Sequence, residues 1–170
     1  MMKLQESDLA KIKYKESKLK VQKEILTGQY SFNSLLTHLN NPKVQDKAAW
    51  VMSGVVENQP KIIKDSEVGL LLKLLEKGVS VGVERNIWRT FQFIEIPEKH
   101  QEKCLHQAFE SIENKNSSIA VEIFTMSTAF ELSKENNDLK HLLKEILLYK
   151  MENASKGFKS KARKILKAIA

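Results

Sequence analysis

The sequence predicts an all-α chain: a right-handed α–α superhelix, or solenoid, of about four stacked helical hairpins with a helical cap at its N-terminus. Three observations lead there. Among 170 residues there are Gly 6 and Pro 3, with 42% hydrophobic, 29% charged and 7% aromatic side chains, too little turn chemistry for a sandwich or barrel. From Tyr30 onward apolar residues recur at helical rather than alternating spacing. The pattern then repeats at intervals of 37 to 39 residues, the signature of stacked units that cannot bury their apolar faces alone.

Residues 1–29 carry Lys3, Lys11, Lys13, Lys15, Lys18, Lys20 and Lys23 among sparse apolar side chains. They read as a charged, partly helical cap, frayed at its start. Short polar breaks punctuate the rest: Asn40-Asn41-Pro42, Asp65-Ser66, Gly78, Pro97, Asn114 to Ser118, Asn136-Asn137-Asp138 and Ser155. Each supplies an N-cap or a first-turn proline for the helix that follows. The breaks divide residues 30–170 into hairpins of about 30–60, 65–96, 97–134 and 137–170.

The second helix of each hairpin is placed by positions 0, +4, +7, +8 and +11, which at 3.6 residues per turn share one stripe. The first copy gives Val44, Ala48, Val51, Met52 and Val55, the second Val83, Ile87, Thr90, Phe91 and Ile94. The third gives Val121, Thr125, Thr128, Ala129 and Leu132, and the fourth Phe158, Ala162, Ile165, Leu166 and Ile169. The first helices carry their own stripes: Phe32, Leu35, Leu36 and Leu39; Val68, Leu71, Leu72 and Leu75; Leu105, Ala108, Phe109 and Ile112; Leu139, Leu142, Leu143 and Ile146.

This pattern resembles HEAT-type (armadillo-like) repeats, which have two helices per unit and a period in this range. The segments VQDKAAWVMSGVVENQP, GVERNIWRTFQFIEIP, SSIAVEIFTMSTAFELSKEN and GFKSKARKILKAIA are similar to second helices of such units, and the resemblance covers residues 30 to 170. The whole chain also resembles small bacterial HEAT-repeat proteins, some labelled adenylosuccinate lyase. That label implies a Gly-Ser-Ser-x-Met-Pro-x-Lys-x-Asn loop that is absent here. The HEAT resemblance implies a non-catalytic scaffold that binds a protein or peptide along the concave face lined by its second helices.

Tests for catalytic chemistry return little. The glycines are scattered singly, so no phosphate-cradling loop forms and no cofactor is expected. His100 and Cys104 stand four apart with His106 close by, but a zinc site needs more thiols or imidazoles than these. Cys104 adjoins the packing stripe and reads as a packed thiol rather than a nucleophile. The carboxylates follow helix-surface spacing and pair with lysines, with no metal site and no general acid or base among them. A lone cysteine, no signal-peptide pattern and no roughly 20-residue apolar run suggest a cytoplasmic chain without a transmembrane segment.

What remains is the face opposite each second-helix stripe, at +2, +5, +6 and +9. It carries Asp46, Ala49, Trp50 and Ser53; Arg85, Trp88, Arg89 and Gln92; Ile123, Met126, Ser127 and Phe130; Ser160, Arg163, Lys164 and Lys167. Tryptophan and arginine are enriched where binding energy concentrates. Trp50, Arg85, Trp88, Arg89, Phe130, Lys164 and Lys167 are therefore the candidate partner-binding residues, while core-edge packing is the other reading of the two tryptophans. The net charge is +7, and the last helix holds Lys156, Lys159, Lys161, Arg163, Lys164 and Lys167 without an acid. That leaves two further readings, a soluble terminal cap or a nucleic-acid-binding surface. A DNA-glycosylase-like cleft would need a carboxylate beside both tryptophans, which the sequence does not place there.

Overall fold

A computed structural model describes residues 1–114 and 116–169. Lys115, within the expected break at Asn114 to Ser118, and Ala170, at the end of the fourth expected hairpin, lie outside them. The described residues form ten α-helices: α1 (Glu6–Ala10), α2 (Lys15–Leu26), α3 (Phe32–Thr37), α4 (Gln45–Asn58), α5 (Asp65–Lys77), α6 (Val81–Thr90), α7 (Glu98–Glu113), α8 (Ile119–Ser133), α9 (Asn137–Met151) and α10 (Lys156–Ile169). The fold is all-α, and the one pairing of extended backbone among the described residues is an isolated bridge between Met2 and Tyr30. The chain divides into two compact units, Met1–Glu95 and Ile96–Ala170.

The helices start where the sequence supplies acceptors for their first amides. The Ser80 hydroxyl accepts from Val83 N at 3.2 Å, Ser118 from Val121 N at 3.3 Å, and the Asn136 carboxamide from Asp138 N at 2.9 Å and Leu139 N at 3.1 Å. The break at Asp65-Ser66 works differently. Asp65 is already helical, and Glu67 in the first turn accepts from Lys64 N at 2.7 Å. Helix α5 ends on Gly78, whose φ of 78° suits a residue without a Cβ.

In the N-terminal unit α2, α4 and α6 lie side by side, with α4 in the middle. Such a helix is covered on both flanks as well as beneath, so α4 buries Ala48, Ala49, Val51, Met52, Ser53, Gly54, Val55 and Val56. Helix α2 approaches closely because Gly54 leaves room: a Cβ there would sit 1.7 Å from Gln22 Nε2, which donates to Val51 O at 3.2 Å. The start of the chain is not frayed, contrary to the sequence expectation. Leu4, Leu9 and Ile12 are buried, Leu4 N donates to Ser34 Oγ at 2.9 Å, and Asn41 Nδ2 donates to Glu6 Oε2 at 2.7 Å.

In the C-terminal unit α8 packs on α7, α9 and α10. Phe158, Ala162 and Ile165 of α10 are buried as their stripe predicts. Helix α9 departs from its prediction. It buries Leu143 and Leu147, leaves Leu139 and Ile146 half-buried and exposes Leu142. Its inward face is thus turned by roughly 60° from the predicted stripe. The turned face carries a largely buried ion pair: Lys150 Nζ lies 2.7 Å from Glu122 Oε1 of α8, with side chains only 17% and 10% exposed. The same ammonium donates to the carbonyls of Ile112 and Asn114 at the end of α7, where helix carbonyls lack amide partners.

Candidate interaction surfaces

The α2–α4–α6 layer holds a polar and aromatic cluster. Trp50 is half-buried, with Lys18 Nζ of α2 over its ring 4.7 Å from the centroid. Arg89 of α6 reaches back across α4. Its Nη2 lies 2.7 Å from Glu57 Oε2 and its Nη1 donates to Ser53 Oγ at 3.1 Å, while the guanidinium stands 5.2 Å from the Phe93 ring centroid. Asn86 completes the network, 2.9 Å from Ser53 Oγ and donating to Gly82 O at 2.8 Å. Arg85 is exposed one turn away.

Arg89 holds the Glu57 carboxylate, and both charges act on Lys18. Burial first, and then the Arg89 charge, pull the Lys18 ammonium below the ordinary lysine value, with Glu57 opposing. Neither Lys18 nor Glu57 figured among the sequence candidates. Lys18 was hidden by reading residues 1–29 as a cap, and Glu57 by its place at the end of the helix beyond the +9 position.

Of the two sequence readings of Trp88, its burial fits core-edge packing and not the ridge. Trp88 is 0% exposed, its ring meets Phe91 edge-on at 5.6 Å, and among the described residues its Nε1 has no hydrogen-bond partner. It is not presented to a partner. The +5 position lies about 115° from the stripe centre, on the flank of the helix rather than opposite its inward face. Ala49 and Met126 are also fully buried there. Arg163, the +5 residue of α10, is exposed.

In the C-terminal unit Phe130 is half-buried, with Lys134 Nζ 5.4 Å from its ring centroid and 2.6 Å from Glu131 Oε2. Lys164 and Lys167 are exposed on α10. Lys161 is held below the ordinary lysine value by burial and by Lys164. The structure thus groups Trp50, Arg85 and Arg89 in one unit and Phe130, Lys164 and Lys167 in the other.

The cysteine and histidine that the sequence places close together have separate surroundings. Cys104 is buried and its thiol is pushed up to about 12 by burial, and His106 sits on the surface 3.4 Å from Glu110. No group of three or more metal-ligating side chains occurs among the described residues. Cys104 in the folded protein is therefore expected to resist iodoacetamide at about pH 8 and to react once urea unfolds the chain. Mass spectrometry would read this, and rapid labelling of the native protein would contradict the burial.

Successive α-helical hairpins with polar and aromatic groups on their exposed faces define a helical-repeat protein. The family model described as a HEAT repeat domain matches residues 7–169, and the chain belongs to that family. The match takes in α1 and α2 as well as the later hairpins. Among curated proteins and among solved structures no match is found. HEAT repeats commonly serve as protein-interaction scaffolds, and among the described residues no helix is long and apolar enough to cross a membrane.

Proposed function

We propose that the protein is a non-catalytic scaffold that binds a protein or peptide on the second-helix face of its N-terminal unit. Trp50, Arg85 and Arg89 would be the anchors, with Lys18 beside them. The supporting observation is the Lys18–Trp50–Arg89–Glu57 cluster, in which a half-exposed aromatic and an excess of cations are held by three packed helices. Rigid side chains lose little entropy on binding. The excess charge suits a partner that places a carboxylate near Lys18 and Arg89.

A partner isolated from native lysate and then purified is expected to bind Trp50→Ala or Arg85→Ala about tenfold or more weakly than wild type, the loss typical of interface anchors. Unchanged affinity in both variants would overturn the assignment. A second reading, nucleic-acid backbone binding, rests on the exposed Arg163, Lys164 and Lys167 of α10. It requires duplex affinity that falls steeply with salt and is lost in Lys164→Glu/Lys167→Glu.

A further inference from the structure

Helix α9 carries a row of apolar side chains that the fold leaves open. Leu139, Leu142, Ile146 and Tyr149 follow one another at spacings of three, four and three residues, the repeat that keeps a seam on one face of a helix. Leu142 is 42% and Tyr149 79% exposed, while Leu139 and Ile146 are half-buried. Beside this row, at intervals of seven, stand Asp138, Glu145 and Glu152, all exposed. Glu113 of α7 adds a fourth acid. With Ile146, Tyr149, Glu152 and the Glu122–Lys150 pair it lines a cleft of about 680 Å³ that continues the row.

On the other flank of the row Leu143 is buried, and Lys150 is held by Glu122 in the wall of the cleft. His141, whose Nδ1 is 3.6 Å from Glu145 Oε1, and the exposed Lys144 belong to the side of α9 away from the row. An open apolar seam on a chain of net charge +7 is thus edged by acids.

We infer that this face of α9 docks a basic amphipathic helix of a partner protein. The partner's apolar side chains would cover Leu142, Ile146 and Tyr149, and its lysines or arginines would face Asp138, Glu145 and Glu152. Helix-in-groove recognition uses such anchors at three- and four-residue intervals, and opposite charges along the flank set partner choice. A second copy of the chain does not fit. Antiparallel α9 helices would oppose acid to acid, and a parallel pair would set the acids against the buried Leu143 and a Lys150 that Glu122 already holds. The site is on a first helix of the C-terminal unit and shares no residue with the proposal above, so it stands independently of it.

The test uses the full chain and two fluorescent peptides of about three heptads, with leucine at the seam and either lysine or glutamate on both flanks. Fluorescence anisotropy is expected to show the lysine peptide binding at least about tenfold more tightly. General attraction to a chain of net charge +7 would favour the glutamate peptide instead. Leu142→Gln/Tyr149→Gln, which leaves the charge unchanged, is expected to weaken the lysine peptide about tenfold without moving the unfolding midpoint. Glu145→Lys/Glu152→Lys is expected to reverse the preference. Equal affinity for the two peptides, a double glutamine variant that binds like wild type, or a dimer by sedimentation that Leu142→Gln/Tyr149→Gln dissociates would overturn the inference.

Discussion

Replacing Lys150 with methionine is expected to destabilise the protein by about 3–5 kcal/mol, the range for removing one partner of a buried ion pair. The cost comes from what is left behind. Glu122, its side chain 10% exposed, loses the ammonium 2.7 Å away, and the carbonyls of Ile112 and Asn114 lose the donor that closes the end of α7. The aliphatic stem and the packing near Phe158, whose ring centroid lies 5.5 Å from Nζ, are largely kept by methionine. The loss is therefore electrostatic rather than a cavity.

Urea unfolding followed by far-UV circular dichroism measures it. Removing the second charge as well, in Glu122→Met/Lys150→Met, is expected to recover a substantial part of the loss, because no uncompensated charge is then buried. A single-variant loss below about 1 kcal/mol would place the pair with exposed ion pairs of little worth. A double variant no better than the single would show that the carbonyl contacts carry the effect.

Replacing Trp88 with alanine is expected to cost about 3–5 kcal/mol, the range for emptying a buried large aromatic site. Trp88 is 0% exposed and packs edge-on against Phe91. Phenylalanine should cost much less: it restores most of the apolar contact and removes an indole N–H that has no partner among the described residues. The two substitutions also separate core from surface. Under conditions where the variant is folded, Trp88→Phe is expected to leave partner affinity unchanged, whereas Trp50→Ala lowers it and leaves the unfolding midpoint nearly in place. A Trp88→Ala variant as stable as wild type would return this residue to the surface.

The architecture was legible because a hairpin period of 37 to 39 residues shows directly in one sequence. Every position of the first second-helix stripe, Val44 through Val55, is buried. What periodicity cannot carry is lateral neighbours. It placed Ala49, Trp88 and Met126 outward because a stripe describes only the inward face, while packing in a layer also covers the flank.

The same limit applies to polar pairs. Glu122 and Lys150 looked like ordinary members of two helix surfaces, and only the packing of α9 on α8 brings them together and turns α9 enough to open Leu142. At the N-terminus the lysines dominated the reading. Leu4, Leu9 and Ile12, spaced too irregularly to mark a helix, are the residues that tie the segment down. Of the candidate contact residues, Trp50, Arg85 and Arg89 do gather in the N-terminal unit, with Lys18 and Glu57 added by tertiary contact alone.

Whether the second-helix face around Trp50 meets a protein is tested by placing a photo-crosslinking amino acid at Arg85, exposed beside the cluster, and at Lys73, exposed on α5, as a control. After irradiation in native lysate, the account predicts a discrete protein adduct from position 85 that is lost when Trp50→Ala is added, and none from position 73. Equal labelling from both positions, or an adduct at 85 that survives Trp50→Ala, would contradict it.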